Sequence, residues 1–158
     1  FTPELLVRLR QSGIGLTAVT LHVGVGTFKP VTVDQIEDHQ MGAEWVEVGA
    51  EAVCSIEQAR AAGGRIVSVG TTVVRALETA ARADGQIRPY CGETDIFMTP
   101  GFSFKVVDAL LTNFHLPRTT LLMLVSALAG TELLRQAYAD AVRERYRFYS
   151  YGDAMLIL

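Results

Sequence analysis

The stretch from Leu110 to Gly130, LLTNFHLPRTTLLMLVSALAG, restricts the possible folds more than any other part of the chain. Its longest apolar piece, Leu121 to Ala129 with Ser126 inside it, is far shorter than the roughly 18 apolar residues that a membrane-spanning helix needs. It therefore belongs in a protein core. Lys105 to Thr112 reads as a largely buried strand, Pro117 ends whatever precedes it, and Thr119 or Thr120 can cap a buried helix that stops at Gly130. Asn113, His115, Pro117 and Arg118 thus fall on a strand-to-helix turn, where binding and catalytic groups are commonly carried.

A chain of 158 residues is one domain by the usual size of about 100–200 residues, and its 49% hydrophobic residues suffice for a core. The 14 Lys and Arg against 17 Asp and Glu leave a formal net charge of −3. That balance argues against a general nucleic-acid coat and leaves room for a local basic patch. Cys54 and Cys91 lie far apart, form no C-x-x-C pattern and have no His at zinc spacing, so they read as reduced thiols of a cytoplasmic protein with no metal site. No signal-peptide pattern, low-complexity segment or repeat is visible. The chain opens on Phe1 and closes on the apolar Ala154 to Leu158, which reads as a piece of a larger polypeptide.

Along the chain, Thr2-Pro3-Glu4 is a helix cap followed by proline at the first helical position, and that helix ends at Gly13. Ile14 to Val23 reads as a strand, a short helical turn lies around Val33 to Met41, and Glu44 to Val48 reads as a second strand. A helix over Ala50 to Ala62 is stopped by Gly63-Gly64. Arg65 to Val69 has the β-branched, apolar character of a strand inside a sheet. A helix over Thr72 to Ala83, a turn at Asp84-Gly85, a strand over Asp95 to Thr99 and a long helix over Glu132 to Tyr146 complete the reading. This alternation predicts an α/β layer, with helices packed on a mixed sheet.

Several motifs have the residue types of a site. Ile66 to Glu78 runs from a strand through Gly70 into a helix whose first turn offers Thr71, Thr72 and unpaired backbone N–H groups. It either binds an anion there or is simply a capped core helix. Arg75 and Glu78, three apart on one helical face, form a solvated pair or point into a site at the sheet edge. His22 ends an apolar strand, and Gly24 and Gly26 behind it let backbone approach a ligand closely. A lone His in that position is equally a packed core residue. Glu37, Asp38 and His39 place three titratable groups at one turn, for acid–base work or as a solvated loop. The segment Tyr146 to Leu156 mixes aromatics with Arg147, Ser150, Tyr151 and Asp153, suited either to stacking bases or to packing in the core.

Five blocks, TLHVGVGTFKPV, IEDHQM, VGTTVVRALE, TPGFSFKVVDALLTNFHLPRTTLLMLVSALAG and YRFYSYGDAMLI, resemble in the same order those of the S-adenosylmethionine:tRNA ribosyltransferase-isomerases of queuosine biosynthesis. The resemblance covers nearly the whole chain. It implies the C-terminal half of an α/β domain, 1–158, with a mixed, barrel-like sheet flanked by helices. The small β-barrel domain inserted in that family would be absent from this chain. It further implies S-adenosylmethionine as co-substrate without a metal, a tRNA whose anticodon carries the aminomethyl-deazaguanine base preQ1, and the missing N-terminal half as a partner. It also implies no membrane partner and a full-length enzyme that acts as a monomer. Where the family pattern after Asp38-His39-x-Met41 has His and Ser, this chain has Gly42 and Ala43, which leaves any duty of that histidine without its residue.

The reaction implied by the resemblance moves the ribosyl group of S-adenosylmethionine onto the base as an epoxycyclopentanediol, and releases adenine and methionine. The sulfonium acidifies the ribose C5′ protons, so a base must remove one, and an acid must meet the departing adenine. His22, His39 and His115, the only histidines, are the catalytic candidates, with Glu78 or Asp38 as carboxylate partner, Asp38 being counted among the catalytic residues. Gly24, Gly26, Thr71, Thr72, Arg75, Glu78, Asn113, Arg118 and Tyr151 are the candidates for binding. Two rival readings stay open: a non-catalytic tRNA-docking fragment, and a generic methyltransferase, against which the absence of a G-x-G-x-G loop counts.

Overall fold

Helix starts and stops follow the local chemistry of the chain. The computed structural model describes residues 1–24, 31–33, 35–81 and 85–158, with the side chains of Glu37 and Tyr151 outside the description. In chain order the elements are α1 (Pro3–Gln11), β1 (Thr20–His22), β2 (Glu44–Val48), α2 (Ala50–Ala61), β3 (Val67–Val69), α3 (Thr71–Ala80), β4 (Tyr90–Thr94), β5 (Ala109–Asn113), α4 (Thr120–Ala129), α5 (Thr131–Arg143) and β6 (Ala154–Ile157). Short 3-10 turns occupy Ile36–Asp38 and Tyr149–Tyr151. Thr2 caps α1 by accepting from the Leu5 N–H. Thr119 does the same for α4 through the Leu122 N–H, and Gly130, at φ 83°, ends that helix and opens α5.

The α/β class expected from the sequence is the class observed. Its strands form two three-stranded sheets, ordered β1-β2-β4 and β3-β5-β6. The first is antiparallel throughout, with Leu21 opposite Val46 and Val46 opposite Gly92. In the second, β3 runs parallel to β5, with Val69 opposite Leu111, while β6 returns antiparallel, with Asn113 opposite Ala154. Helix α3 packs against strands of both sheets and against α4. Val74, Ala76 and Leu77 of α3 join Val46 and Val48 of β2, Leu110 of β5, and Leu124 and Val125 of α4 in one core.

Four expectations change. The strand expected from Ile14 shrinks to Thr20–His22, because β2 turns into α2 after Val48 and leaves nothing for earlier residues to pair with. The strand expected over Asp95 to Thr99 lies earlier, at Tyr90–Thr94. There the pairing of Thr94 with Glu44 uses the first residue of β2, and Ile96 and Met98 enter the core from irregular backbone. β5 starts at Ala109 rather than Lys105, since the N–H groups of Lys105, Val106 and Val107 are taken by the Glu78 carboxylate at 2.8, 3.0 and 3.0 Å. The segment expected inside a sheet is instead the edge strand β3, whose Val67 and Val69 are 50% and 46% exposed while Ser68 between them is buried. β-branching marks strand character, but which face finds cover is a tertiary matter.

The open side of this sheet is apolar across all three strands. Val69, Leu111 and Leu156 form one row in register, with Leu156 56% exposed. Helix α1 has no buried residue.

Candidate functional site

The carboxyl ends of parallel strands, where chains leave for their helices, are where α/β sheets ordinarily bind ligands. Here three connections meet at that end of the second sheet. β3 leaves through Gly70 into α3, β5 leaves through Phe114 to Thr119 into α4, and residues 144–153 arrive from α5 to start β6 opposite Asn113. Hydrogen bonds knit the three together: the Gly70 N–H to the Leu111 carbonyl at 2.8 Å, the Tyr149 N–H to the Phe114 carbonyl at 2.8 Å, and the Asn113 Nδ2 to the Asp153 carbonyl at 3.4 Å. Thr71, Thr72, Asn113, His115, Arg118 and the backbone of Tyr151 therefore share one edge.

His115 is the most tightly held of them. Its ring Nε2 lies 2.9 Å from the Thr112 hydroxyl. Its backbone N–H donates to the Tyr138 hydroxyl at 2.8 Å, and that hydroxyl donates back to the His115 carbonyl at 3.2 Å. The Tyr138 ring stands in an aromatic cluster with Phe114 and Phe148, at centroid distances of 5.4 and 5.6 Å. Burial pushes the imidazole down to about 4 and the Tyr138 phenol up to about 12. At neutral pH the imidazole is uncharged, a form able to accept a proton. Asn113 and Arg118 are exposed beside it. Arg118 has φ 58°, and its carbonyl accepts from the Val31 N–H at 2.8 Å. A recess of about 220 Å³ lies there between Val31, Val33, Ile36, Arg118 and Met123.

The other candidates lie elsewhere or do different work. His22 is exposed, its ring edge-on to Trp45 at 5.0 Å. His39 is half-buried with its ring 5.3 Å from Phe97, and Asp38 is exposed at the end of its 3-10 turn. Among the described residues no hydrogen bond joins His22, Asp38 and His39 to one another or to His115. Gly24 is exposed just after β1. Gly26 lies outside the described residues, as does the Tyr151 side chain.

Arg75 and Glu78 are neither a solvated pair nor open to a ligand. Both are buried, at 2% and 1% exposure. Arg75 forms an ion pair with Glu44, while Glu78 holds the three N–H groups ahead of β5. Burial raises the Glu44 carboxyl and lowers the Arg75 guanidinium, each shift opposed by the partner's charge. A larger recess, about 630 Å³, lies among Phe1, Leu6, Arg10, Leu16, Thr20, Glu47 and Ala52, and contains none of the expected site residues.

Comparison with known proteins gives the family of the chain. The profile of the family described as "Queuosine biosynthesis protein" matches residues 1–157. The chain belongs to that family. Among curated relatives it is 60% identical to the S-adenosylmethionine:tRNA ribosyltransferase-isomerase of Bradyrhizobium sp. BTAi1, with 99% of this chain and 43% of that one covered. It is also 60% identical to that of Moorella thermoacetica, with 100% and 46% covered. The crystal structure of the S-adenosylmethionine tRNA ribosyltransferase of Thermotoga maritima superposes with a TM-score of 0.82 at 49% identity, covering all of this chain and 50% of the other. The chain thus spans about half the length of the queuosine family proteins it matches.

Within this queuosine family chain, residue-by-residue reading missed Thr112, Glu44 and Tyr138, while Asp153, named with its segment, accepts from the Arg147 N–H at 2.7 Å. Tyr138 and Glu44 act on partners 23 and 31 positions away, so no local pattern announces them. Among the described residues no three His, Cys, Asp or Glu side chains gather as metal ligands, and no helix is long and apolar enough to cross a membrane. Cys54 and Cys91 are both free and exposed.

The depressed His115 makes a pH prediction. Between its folded value of about 4 and the ordinary 6.5, the unfolded chain binds the extra proton. The stability contribution is therefore complete above pH 6.5 and is lost as pH falls through 4, a change of roughly 3 kcal/mol. Urea unfolding at pH 7 and pH 5 should show a larger acid loss for the native chain than for His115→Asn. Equal losses would contradict the burial of a neutral imidazole.

Proposed function

We propose that this chain is the C-terminal portion of the catalytic α/β domain of an S-adenosylmethionine:tRNA ribosyltransferase-isomerase. The complete enzyme transfers and isomerises the ribosyl group of S-adenosylmethionine onto the preQ1 base of a cytoplasmic tRNA, giving epoxyqueuosine and releasing adenine and methionine. What carries this reading is the match over the whole chain to relatives of that name, at 56–60% identity. Geometry supports it, since six of the thirteen candidate positions, His115 among them, fall on one sheet edge, where the half-buried imidazole is uncharged. In this reading His115 removes the C5′ proton made acidic by the sulfonium. The start of α3 at Thr71 and Thr72 faces the methionine carboxylate with its N–H groups and positive dipole end. Arg75, sealed against Glu44, supports α3 from behind and does not touch the donor.

The exposed Val67, Val69 and Leu156 favour a second element of the reading: the chain works only with the remaining half of its family's polypeptide laid over that apolar face. Alone, it docks tRNA without turnover. The test is incubation with S-adenosylmethionine and preQ1-bearing tRNA, with and without the remaining half supplied in trans. Free adenine is expected only when both halves are present. S-adenosylhomocysteine in place of adenine would sink the ribosyl-transfer reading, and adenine from this chain alone would remove the need for a second half.

A further inference from the structure

Three residues other than glycine adopt a left-handed backbone in the described chain: Arg118 at φ 58°, Arg145 at φ 58° and Tyr149 at φ 65°. For side chains with a Cβ this conformation is costly, and its usual occupants are glycine or asparagine. Two of the positions are ones where glycine is the normal choice. Arg145 follows the end of α5 in a Schellman arrangement, with the Tyr146 N–H on the Ala141 carbonyl at 2.8 Å and the Arg145 N–H on the Val142 carbonyl at 3.2 Å. Arg118 is the residue after the turn proline, Pro117.

All three lie in the connections that meet at the His115 edge, Arg118 between β5 and α4, and Arg145 and Tyr149 between α5 and β6. All three residues are exposed, and strain of this type gathers where function retains it. Tyr146 and Tyr149 are 48% and 39% exposed. Neighbouring charges are already matched, since Arg143 pairs with Asp140 and Glu144, and Arg147 with Asp153. Among the described residues no carboxylate pairs with Arg118 or Arg145.

We infer that Arg118, Arg145, Tyr146 and Tyr149 form the contact surface for a single-stranded RNA loop, with the arginines on its phosphates and the tyrosines under unstacked bases. Arginine and aromatic side chains together are the usual means of holding unpaired nucleotides without reading a duplex. The inference deepens the proposed function and rests on its RNA substrate. It assigns the surface that delivers the target base to His115.

Glycine substitutions separate this role from a structural one, because they relieve strain while removing the side chain. Binding of an RNA hairpin with an unpaired loop to the intact enzyme should weaken about tenfold in Arg145→Gly and in Arg118→Gly. The melting temperature should stay level or rise. Unchanged affinity in both variants, or a clear fall in melting temperature showing that the arginines hold the fold, would overturn the inference. Adenine release by the unsubstituted enzyme is measured alongside. RNA binding that depends on Arg145 without any adenine release would keep this surface and remove the reaction, whereas adenine release with unaltered RNA affinity in both variants would remove only the surface.

Discussion

Replacing His115 by Asn in the intact enzyme is expected to lower adenine release about 10²–10⁴-fold, the range for a lost acid–base group, with little change in melting temperature. Among the described residues the ring has one polar contact, to Thr112, and the Tyr138 clamp holds the backbone rather than the imidazole, so Asn leaves that clamp in place. If His115 is only a packed turn residue, the variant should instead lose about 1–3 kcal/mol of stability through an unsatisfied buried partner, and activity should follow the folded fraction. Adenine release and thermal unfolding on one preparation decide between the two. Near-normal turnover per folded molecule would defeat the catalytic role. A base of pKa about 4 also fixes where the acid limb of the pH–rate profile belongs, near 4 rather than near the 6.5 of a solvated imidazole.

The second large effect is on stability. Arg75→Ala should cost about 3–5 kcal/mol, because it removes the ion-pair partner of the Glu44 carboxylate, which is only 5% exposed. That is a large part of the roughly 5–15 kcal/mol that keeps a domain folded. Replacing both partners by apolar residues, as in Arg75→Met with Glu44→Leu, should recover most of the loss, since a buried pair offsets its desolvation only narrowly. Chemical denaturation of the native protein, Arg75→Met, Glu44→Leu and the double variant measures the coupling. A loss below about 1 kcal/mol in Arg75→Ala would mean that the guanidinium is not committed to Glu44 and could again be considered for an anionic ligand.

Much of the fold could be read locally because its signals are local. Thr2-Pro3, Thr119 and Gly130 set helix ends through the donors they satisfy or the φ they permit, and these boundaries agree with the structure within a residue or two. The polar knot at Asn113 and His115 was legible for the same reason, since a proline between a strand pattern and a helix cap forces a turn. The family was legible because long blocks of residues keep their order.

What the sequence by itself determined is therefore the α/β class, the caps, the turn that carries His115 and membership of the queuosine family. Only the tertiary structure decided which candidates meet. Parallel pairing of β3 with β5 and the antiparallel return of β6 bring Thr71, Asn113, His115 and Arg118 to one edge, while His22 and His39 keep to their own aromatic neighbours. It also decided that Arg75 and Glu78, polar residues on an otherwise apolar helix, point into the core toward Glu44 and the Lys105 to Val107 backbone. The physical reason is the same in each case. A cap, a turn or a periodic face depends on neighbours within a few positions, whereas burial, ion pairing and a depressed pKa depend on partners that only folding brings within hydrogen-bonding distance.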